Sequence, residues 1–203
     1  MRILELFAGT RSIGKGFQRS GIPRSDILSV ELDHIHPDID WYRDINTVQV
    51  SEIVDHFGVP DVIWASPPCQ SYSIAAISRH RYKDQDGHLR PKSEFAEVSD
   101  RLLIHTIENP RGGMRKTEYL EDLPRYTITY CQYGDHRMKP TDIWTNHPDP
   151  QFRPMCHNGD PCHARAPRGA KTGTQGLENA IERSRIPDEF CDHIAAICRE
   201  MIT

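Results

Sequence analysis

Apolar positions in the first third of the chain fall into two alternating patterns. Ile3, Leu4, Leu6 and Phe7 make residues 1–7 a short, mostly apolar segment, and residues 26–32 (DILSVEL) and 61–65 (DVIWA) resemble it. Short unbroken runs of branched and aromatic residues read as strands buried on both faces. Between them, Ile13 and Phe17 share one helix face that ends near Gly21, and Val48, Ile53, Val54 and Phe57 mark a helix over residues 45–57. Strands alternating with helices predict an α/β fold with a mostly parallel sheet. Further on, residues 94–103 read as helix and 104–107 as strand. Residues 126–133 (YTITYCQY) alternate like a strand with which 141–145 can pair, and Phe190, Ile194, Ile197 and Met201 mark an amphipathic closing helix starting near Pro187. The space between Phe95 and Asn109 is short for the helix, turn and strand it must hold. Two stretches lack periodicity. Residues 66–91 are too long for a simple connection and read as a functional loop, and residues 151–176 are rich in Gly, Pro and charge.

Length adds that one domain, or one domain with a small appendage, accounts for the 203 residues, and 37% hydrophobic content excludes a disordered chain. No apolar run is long enough to span a membrane and no signal segment opens the chain, so a soluble cytoplasmic protein is expected. The formal net charge of −4 gives no global argument for nucleic acid. Local basic clusters carry more: Arg79, Arg81 and Lys83; Arg111, Arg115 and Lys116; Arg165, Arg168 and Lys171, each of which taken alone reads as solvated surface. The six cysteines do not read as a disulfide framework, and Cys191 and Cys198 sit at helical spacing among core residues.

Ligands of parallel α/β sheets bind beyond the carboxyl ends of the strands, and the chemically unusual residues fall there: Gly9, Glu31, Cys69 and Glu108. After the first strand, Phe7-Ala8-Gly9-Thr10 lets backbone approach a ligand, and the following helix offers free amides. A carboxylate such as Glu31 at the end of the second strand suits a ribose diol, and Asp44 an adenine amine. Pro67 and Pro68 fix an extended path that holds Cys69 firmly, which suits a nucleophile; the bland reading is a buried structural thiol. Glu108, before Asn109-Pro110, can protonate or hydrogen-bond a base, or is a surface acid at a turn.

The order FAGT (7–10), SPPCQSYS (66–73) and IENP (107–110) resembles the DNA cytosine-5 methyltransferase family from residue 1 to about 144 and again at the closing helix. The short chain is most like the family's small, phage-like members, which would place it in a host cytoplasm. The resemblance implies a Rossmann-like methyltransferase fold with a catalytic domain over 1–145, a small target-recognition segment over 146–180 and a closing helix over 181–203 packed back on the catalytic domain. It implies S-adenosyl-L-methionine held by Phe7, Ala8, Gly9, Thr10, Arg11, Glu31, Leu32, Asp44, Ile45, Ser66 and Pro67. Double-stranded DNA would be the partner of a monomer.

Carbon 5 of cytosine is too electron-poor to attack a methyl group. On this resemblance a Cys69 thiolate adds at carbon 6, Glu108 binds the ring nitrogen and amine, and positive charge nearby lowers the thiol pKa. Arg137 and Lys139 stand where the family carries a late arginine pair, with Asp135 at a usual glutamine and Arg11 at a frequent glycine. The flipped cytosine would lie under the loop over residues 71–90, with Gln70, Ser71, Ser73, Arg79, Arg81, Lys83, Arg168 and Lys171 on the DNA. Target recognition would fall between Trp144 and Gly176. Cys156, His157, Cys162 and His163 there form a set that suits zinc, but the Cys156–Cys162 spacing is wider than a usual knuckle, and no metal is assigned. Three other readings stay open: the same chemistry on RNA, a binding module without turnover, and a carboxylated donor paired with Arg11.

Overall fold

The computed structural model describes residues 1–203 apart from 74–76, 95, 98–99, 101–107, 121, 166–178 and 203. Strands β1 (Ile3–Leu6), β2 (Ile27–Glu31), β3 (Trp41–Tyr42) and β4 (Val62–Ala65) form a parallel sheet of order β3-β2-β1-β4. Helices α1 (Ser12–Arg19) and α2 (Val50–Phe57) are its crossovers. All four β1 side chains are buried, the charged Glu5 among them. Alternation sends Ile3, with Ile27 and Trp64, toward Ile13 and Phe17 of α1, while Leu4 and Leu6 join Leu28, Val30 and Ile53 on the other face.

A second, antiparallel sheet has the order β7-β9-β8, with β7 at Glu108–Pro110, β8 at Arg125–Thr129 and β9 at Pro140–Trp144. Ile128 and Ile143 of this sheet pack into the α1-side core, as do Phe190, Cys191 and Ile194 of the closing helix α5 (Asp188–Ile202), which follows the short α4 (Ala180–Ser184). Helices α1 and α5 lie close because position 16 is glycine: a Cβ there would meet Cys191 Cβ at 2.6 Å and its carbonyl carbon and oxygen at 2.8 Å. Arg19 pairs with Asp192 at 2.7 Å at the same contact.

The expected helix over 45–57 divides. Asp44 accepts from the Asn46 amide and caps a single 3-10 turn, Ile45–Thr47, after which Val48 is extended. Gln49 and Glu52 then form the capping box that starts α2. Residues 66–91 hold more structure than their polarity predicts: α3 (Ile77–His80) leads into a hairpin of β5 (Arg81–Lys83) and β6 (Leu89–Pro91). The expected strand over 104–107 lies outside the described residues, as does much of the segment between Phe95 and Asn109. Glu108 itself lies in strand β7, paired with Ile143 of β9. The strand expected over 126–133 ends at Thr129 and turns into a 3-10 turn, Tyr130–Tyr133, closed by Gly134 at φ 81°. Strand β9 pairs with β8 as expected. No helix among the described residues is long and apolar enough to cross a membrane.

Candidate active site

Where the carboxyl ends of β1 and β4 meet the second sheet there is a cleft of about 830 Å³. Its walls are the loops after β1 (Phe7, Ala8, Gly9, Thr10) and β4 (Ser66, Pro67, Pro68, Cys69), the β7 strand, and Arg137 to Pro140. Arg183, Ser184 and Ile186 and three residues of the segment after β9, Asn158, His163 and Arg165, join them.

The loop after β1 is sharply folded, with Phe7 at φ 55°, Gly9 at 48° and Arg11 at 55°. Glu31 holds it: one carboxylate oxygen accepts the Gly9 amide at 2.8 Å, and the other accepts Leu32 and Asp33 amides at 2.8 and 3.1 Å. Leu32 itself is 64% exposed, Asp44 is exposed at its cap, and Ile45 packs against the α2-side core. Arg11 corrects its sequence assignment. Its side chain is buried, reaches Gln18 at 3.4 Å and lies beside Glu5 without lining the cleft, so it does not face a donor carboxylate.

Glu5, which the sequence did not single out, does line the cleft. It is 2% exposed and accepts the Ile13 amide at 3.2 Å. Burial outweighs those bonds and the nearby Arg11, pushing its carboxyl up to about 7. A carboxyl raised from its ordinary 4.5 stabilises the fold fully below about pH 4.5, and that contribution is lost as pH climbs to 7. Glu5→Gln is therefore expected to raise unfolding free energy by up to about 3 kcal/mol at pH 8 and by almost nothing at pH 4. Urea unfolding at the two pH values checks this, and an equal gain at both would refute it.

Cys69 and Glu108 face one cleft, and Asn109 ties their segments together. Its amide nitrogen donates to the Pro67 carbonyl at 2.9 Å, which locks the proline-braced loop to β7. Asn109 Oδ1 is buried with no partner among the described residues. Cys69 opens a 3-10 turn, Gln70–Tyr72, and its carbonyl accepts the Tyr72 amide at 3.0 Å. Glu108 is 5% exposed. It accepts from the Tyr130 hydroxyl at 3.1 Å and bonds Ser66, whose hydroxyl also accepts from Trp64 Nε1 at 2.9 Å. Burial raises the Glu108 carboxyl, with Lys139 pulling it back. The thiol departs from expectation. Burial first and then Glu108 push Cys69 up, and Lys139 and Arg183 offset this only in part.

The late basic pair has divided roles. Arg137 is buried, ion-paired with Asp135, and donates to the Glu182 and Arg183 carbonyls at 3.1 and 3.4 Å at the end of α4. Its donors anchor that helix end, although the residue also lines the cleft. Lys139, at φ 31°, bonds the Arg183 carbonyl at 2.8 Å and stands close enough to Glu108 and Cys69 to act on both charges.

Of the residues expected on DNA, Gln70, Ser73, Arg79 and Lys83 are exposed. Ser71 and Arg81 are not, a correction with one cause. Arg81 is 3% exposed, pairs with Asp100 at 2.6 Å and donates to the Ser71 carbonyl at 3.1 Å. A guanidinium so enclosed cannot reach a phosphate. Arg168 and Lys171 lie outside the described residues. Of the cysteine and histidine set, His157 is exposed beside Asp160, while Cys156, Cys162 and His163 meet Cys131. Sequence reasoning missed Cys131, Tyr130, Arg183 and Asn158. Tyr130 and Cys131 read there as ordinary alternating strand positions, and no local pattern marks Arg183 or Asn158.

A model of the C-5 cytosine-specific DNA methylase family matches residues 1–97. A protein of Frog virus 3 (isolate Goorha), described as "Probable DNA (cytosine-5)-methyltransferase", is 30% identical over 166 residues, spanning 72% of this chain and 71% of that one. Among solved structures, a methyltransferase of Entamoeba histolytica superposes with a TM-score of 0.50 at 11% identity, over 77% of this chain and 57% of that one. This last likeness bears on the fold, an α/β Rossmann-like methyltransferase, and the chain spans little more than half of that protein's length.

Proposed function

The chain belongs to the C-5 cytosine-specific DNA methylase family, and from that premise we propose that it methylates carbon 5 of cytosine in DNA with Cys69 as nucleophile. The observation that carries this reading is the Asn109–Pro67 bond, which sets the thiol of one loop and the carboxyl of another strand into the same cleft.

The residues do the following. The Cys69 sulfur adds to carbon 6 of a cytosine turned out of the helix, making carbon 5 an enamine carbon able to attack an electrophilic methyl group. Glu108, its carboxyl raised by burial and oriented by Tyr130 and Ser66, hydrogen-bonds the ring nitrogen as charge accumulates there. Lys139 favours both the thiolate and the Glu108 carboxylate. After methyl transfer a base takes the carbon 5 proton, its electron pair re-forms the carbon 5–carbon 6 double bond, and the Cys69 sulfur leaves as thiolate. The donor half of the cleft suits S-adenosylmethionine: Phe7 to Thr10 present a backbone bent tightly by Gly9, with Ser66 and Pro67 beside it and the Glu31 carboxylate at its edge. Such a sulfonium would supply the methyl group. With Arg11 turned inward, the unmodified donor fits better than a carboxylated one.

Nucleosides from DNA and RNA of cells expressing the protein, in a host without its own cytosine methylation, test this by mass spectrometry. The expected result is 5-methylcytosine in DNA alone, absent with Cys69→Ser. Methylated cytosine in RNA only, or none in either, would overturn the reading.

A further inference from the structure

Four side chains from two separate segments converge beside the cleft, one of them, His163, lining it. Cys131 belongs to the 3-10 turn after β8, and Cys156, Cys162 and His163 to the segment after β9; their ligand atoms all lie within 4.8 Å of one another. Cys131 Sγ is 3.1 Å from Cys156 Sγ and 3.6 Å from Cys162 Sγ, and His163 Nδ1 is 3.7 and 3.5 Å from the sulfurs of Cys156 and Cys162. A tetrahedral zinc with bonds of roughly 2.3 Å to sulfur and 2.0 Å to nitrogen has edges of about 3.8 Å between sulfurs and about 3.5 Å from sulfur to nitrogen. Three of these four separations lie within about 0.2 Å of those edges, and the Cys131–Cys156 pair has to open by about 0.7 Å. That pair is also far outside the roughly 2.05 Å of a disulfide.

The backbone is arranged to bring these groups together. The Cys156 amide donates to Thr129 Oγ1 at 3.0 Å, setting Cys156 beside Cys131. The chain then reverses between His157 and Asp160, whose backbones bond at 3.1 Å, with Gly159 at φ 102°. The Ala164 amide reaches the His136 carbonyl at 2.8 Å and holds the far end. Without an ion, three thiols and an imidazole crowd a space where Cys131 and Cys156 are buried and His163 Nε2 is enclosed with no partner among the described residues.

We propose that Cys131, Cys156, Cys162 and His163 bind one zinc ion that clasps the segment after β9 to the second sheet. All four positions are filled by protein, so the ion is structural and has no open site for chemistry. Ligation through Nδ1 leaves the imidazole proton on Nε2. The clasp stands next to the reaction centre: Cys131 follows Tyr130, which holds Glu108, while Asn158, His163 and Arg165 on the clasped segment line the cleft. The proposal does not depend on the methylation reading, because its test measures metal.

Protein purified without chelators or affinity metals is expected to carry close to one zinc per chain by elemental analysis. Stripped wild-type protein titrated with cobalt should show the visible bands of tetrahedral cobalt and a near-ultraviolet thiolate-to-cobalt band. Cys162→Ser, at the exposed ligand, should lower bound zinc at least tenfold, whereas Cys198→Ser keeps it. Absence of zinc from wild-type protein that also fails to give the cobalt spectrum, or a Cys131–Cys156 disulfide in freshly purified protein, would overturn the proposal. Full zinc retention in a folded Cys162→Ser protein would do so as well.

Discussion

Cys69→Ser protein is expected to bind DNA and transfer methyl groups roughly 10⁴-fold or more slowly than the natural chain, the scale of loss when a covalent nucleophile is removed. Serine fits the space, but its hydroxyl is a far weaker nucleophile toward carbon 6 at neutral pH. Glu108→Gln should lose about 10²- to 10⁴-fold, because the amide keeps hydrogen bonds but cannot give or hold a proton on the ring nitrogen.

The same pair of residues gives a second measurement of opposite sign. Glu108 raises the Cys69 thiol, so cancelling its charge should make that sulfur easier to ionise. Alkylation of the Cys69 peptide by iodoacetamide, followed by mass spectrometry, should rise with pH beyond the range of an ordinary thiol. At pH 8–9 it should run faster in Glu108→Gln and slower in Lys139→Met. Methylation and alkylation therefore part company in the Glu108 variant. A fall in both, or a Cys69→Ser protein with natural activity, would remove the sulfur from the mechanism.

Within residues 1–65, β1, β2, β4 and α1 were legible because each buried strand is short and the helix shows its own period, so the strand ends, and Gly9 and Cys69 with them, could be placed by pattern; β3 and the division of the helix over 45–57 were not. Glu108 could not be placed that way. The fold puts it in an antiparallel pair, because Glu108 pairs with Ile143 of β9 and that partner is distant in sequence. Other residues also turn on distant partners. Arg81 reads like Arg79 and Lys83 until Asp100 is found beside it, and Arg137, besides pairing with nearby Asp135, is held by the distant end of α4. Cys131 lay hidden inside an apparent strand because nothing local announces the turn at Tyr130 that delivers it to Cys156. Charge and thiol chemistry are decided by long-range partners, whereas burial periodicity is written locally.

Arg81→Ala should cost about 3–5 kcal/mol of stability, the penalty for stranding one partner of an enclosed ion pair. The guanidinium contacts Asp100 through two nitrogens, at 2.6 and 3.1 Å, and donates to the Ser71 carbonyl at 3.1 Å. It also lies 4.1 Å over the Tyr72 ring, whose hydroxyl donates to Asp100 at 2.7 Å. Removing it leaves a carboxylate in a space that water does not reach. Arg81→Ala combined with Asp100→Ala should recover part of the loss, since the stranded charge then disappears. Damage should spread to the cleft through Tyr72, which lines it and whose carbonyl would stand 2.8 Å from a Cβ at Gly112. Arg79→Ala and Lys83→Ala give the contrast. Both side chains are exposed, so stability should hold within about 0.5 kcal/mol, and each lost phosphate contact should shallow the dependence of DNA affinity on salt by about one ion. Urea midpoints and salt titrations of DNA binding across the three variants separate the roles. An Arg81→Ala protein that stays as stable as the natural chain while its salt dependence flattens would return Arg81 to the DNA surface and take Asp100 out of the account.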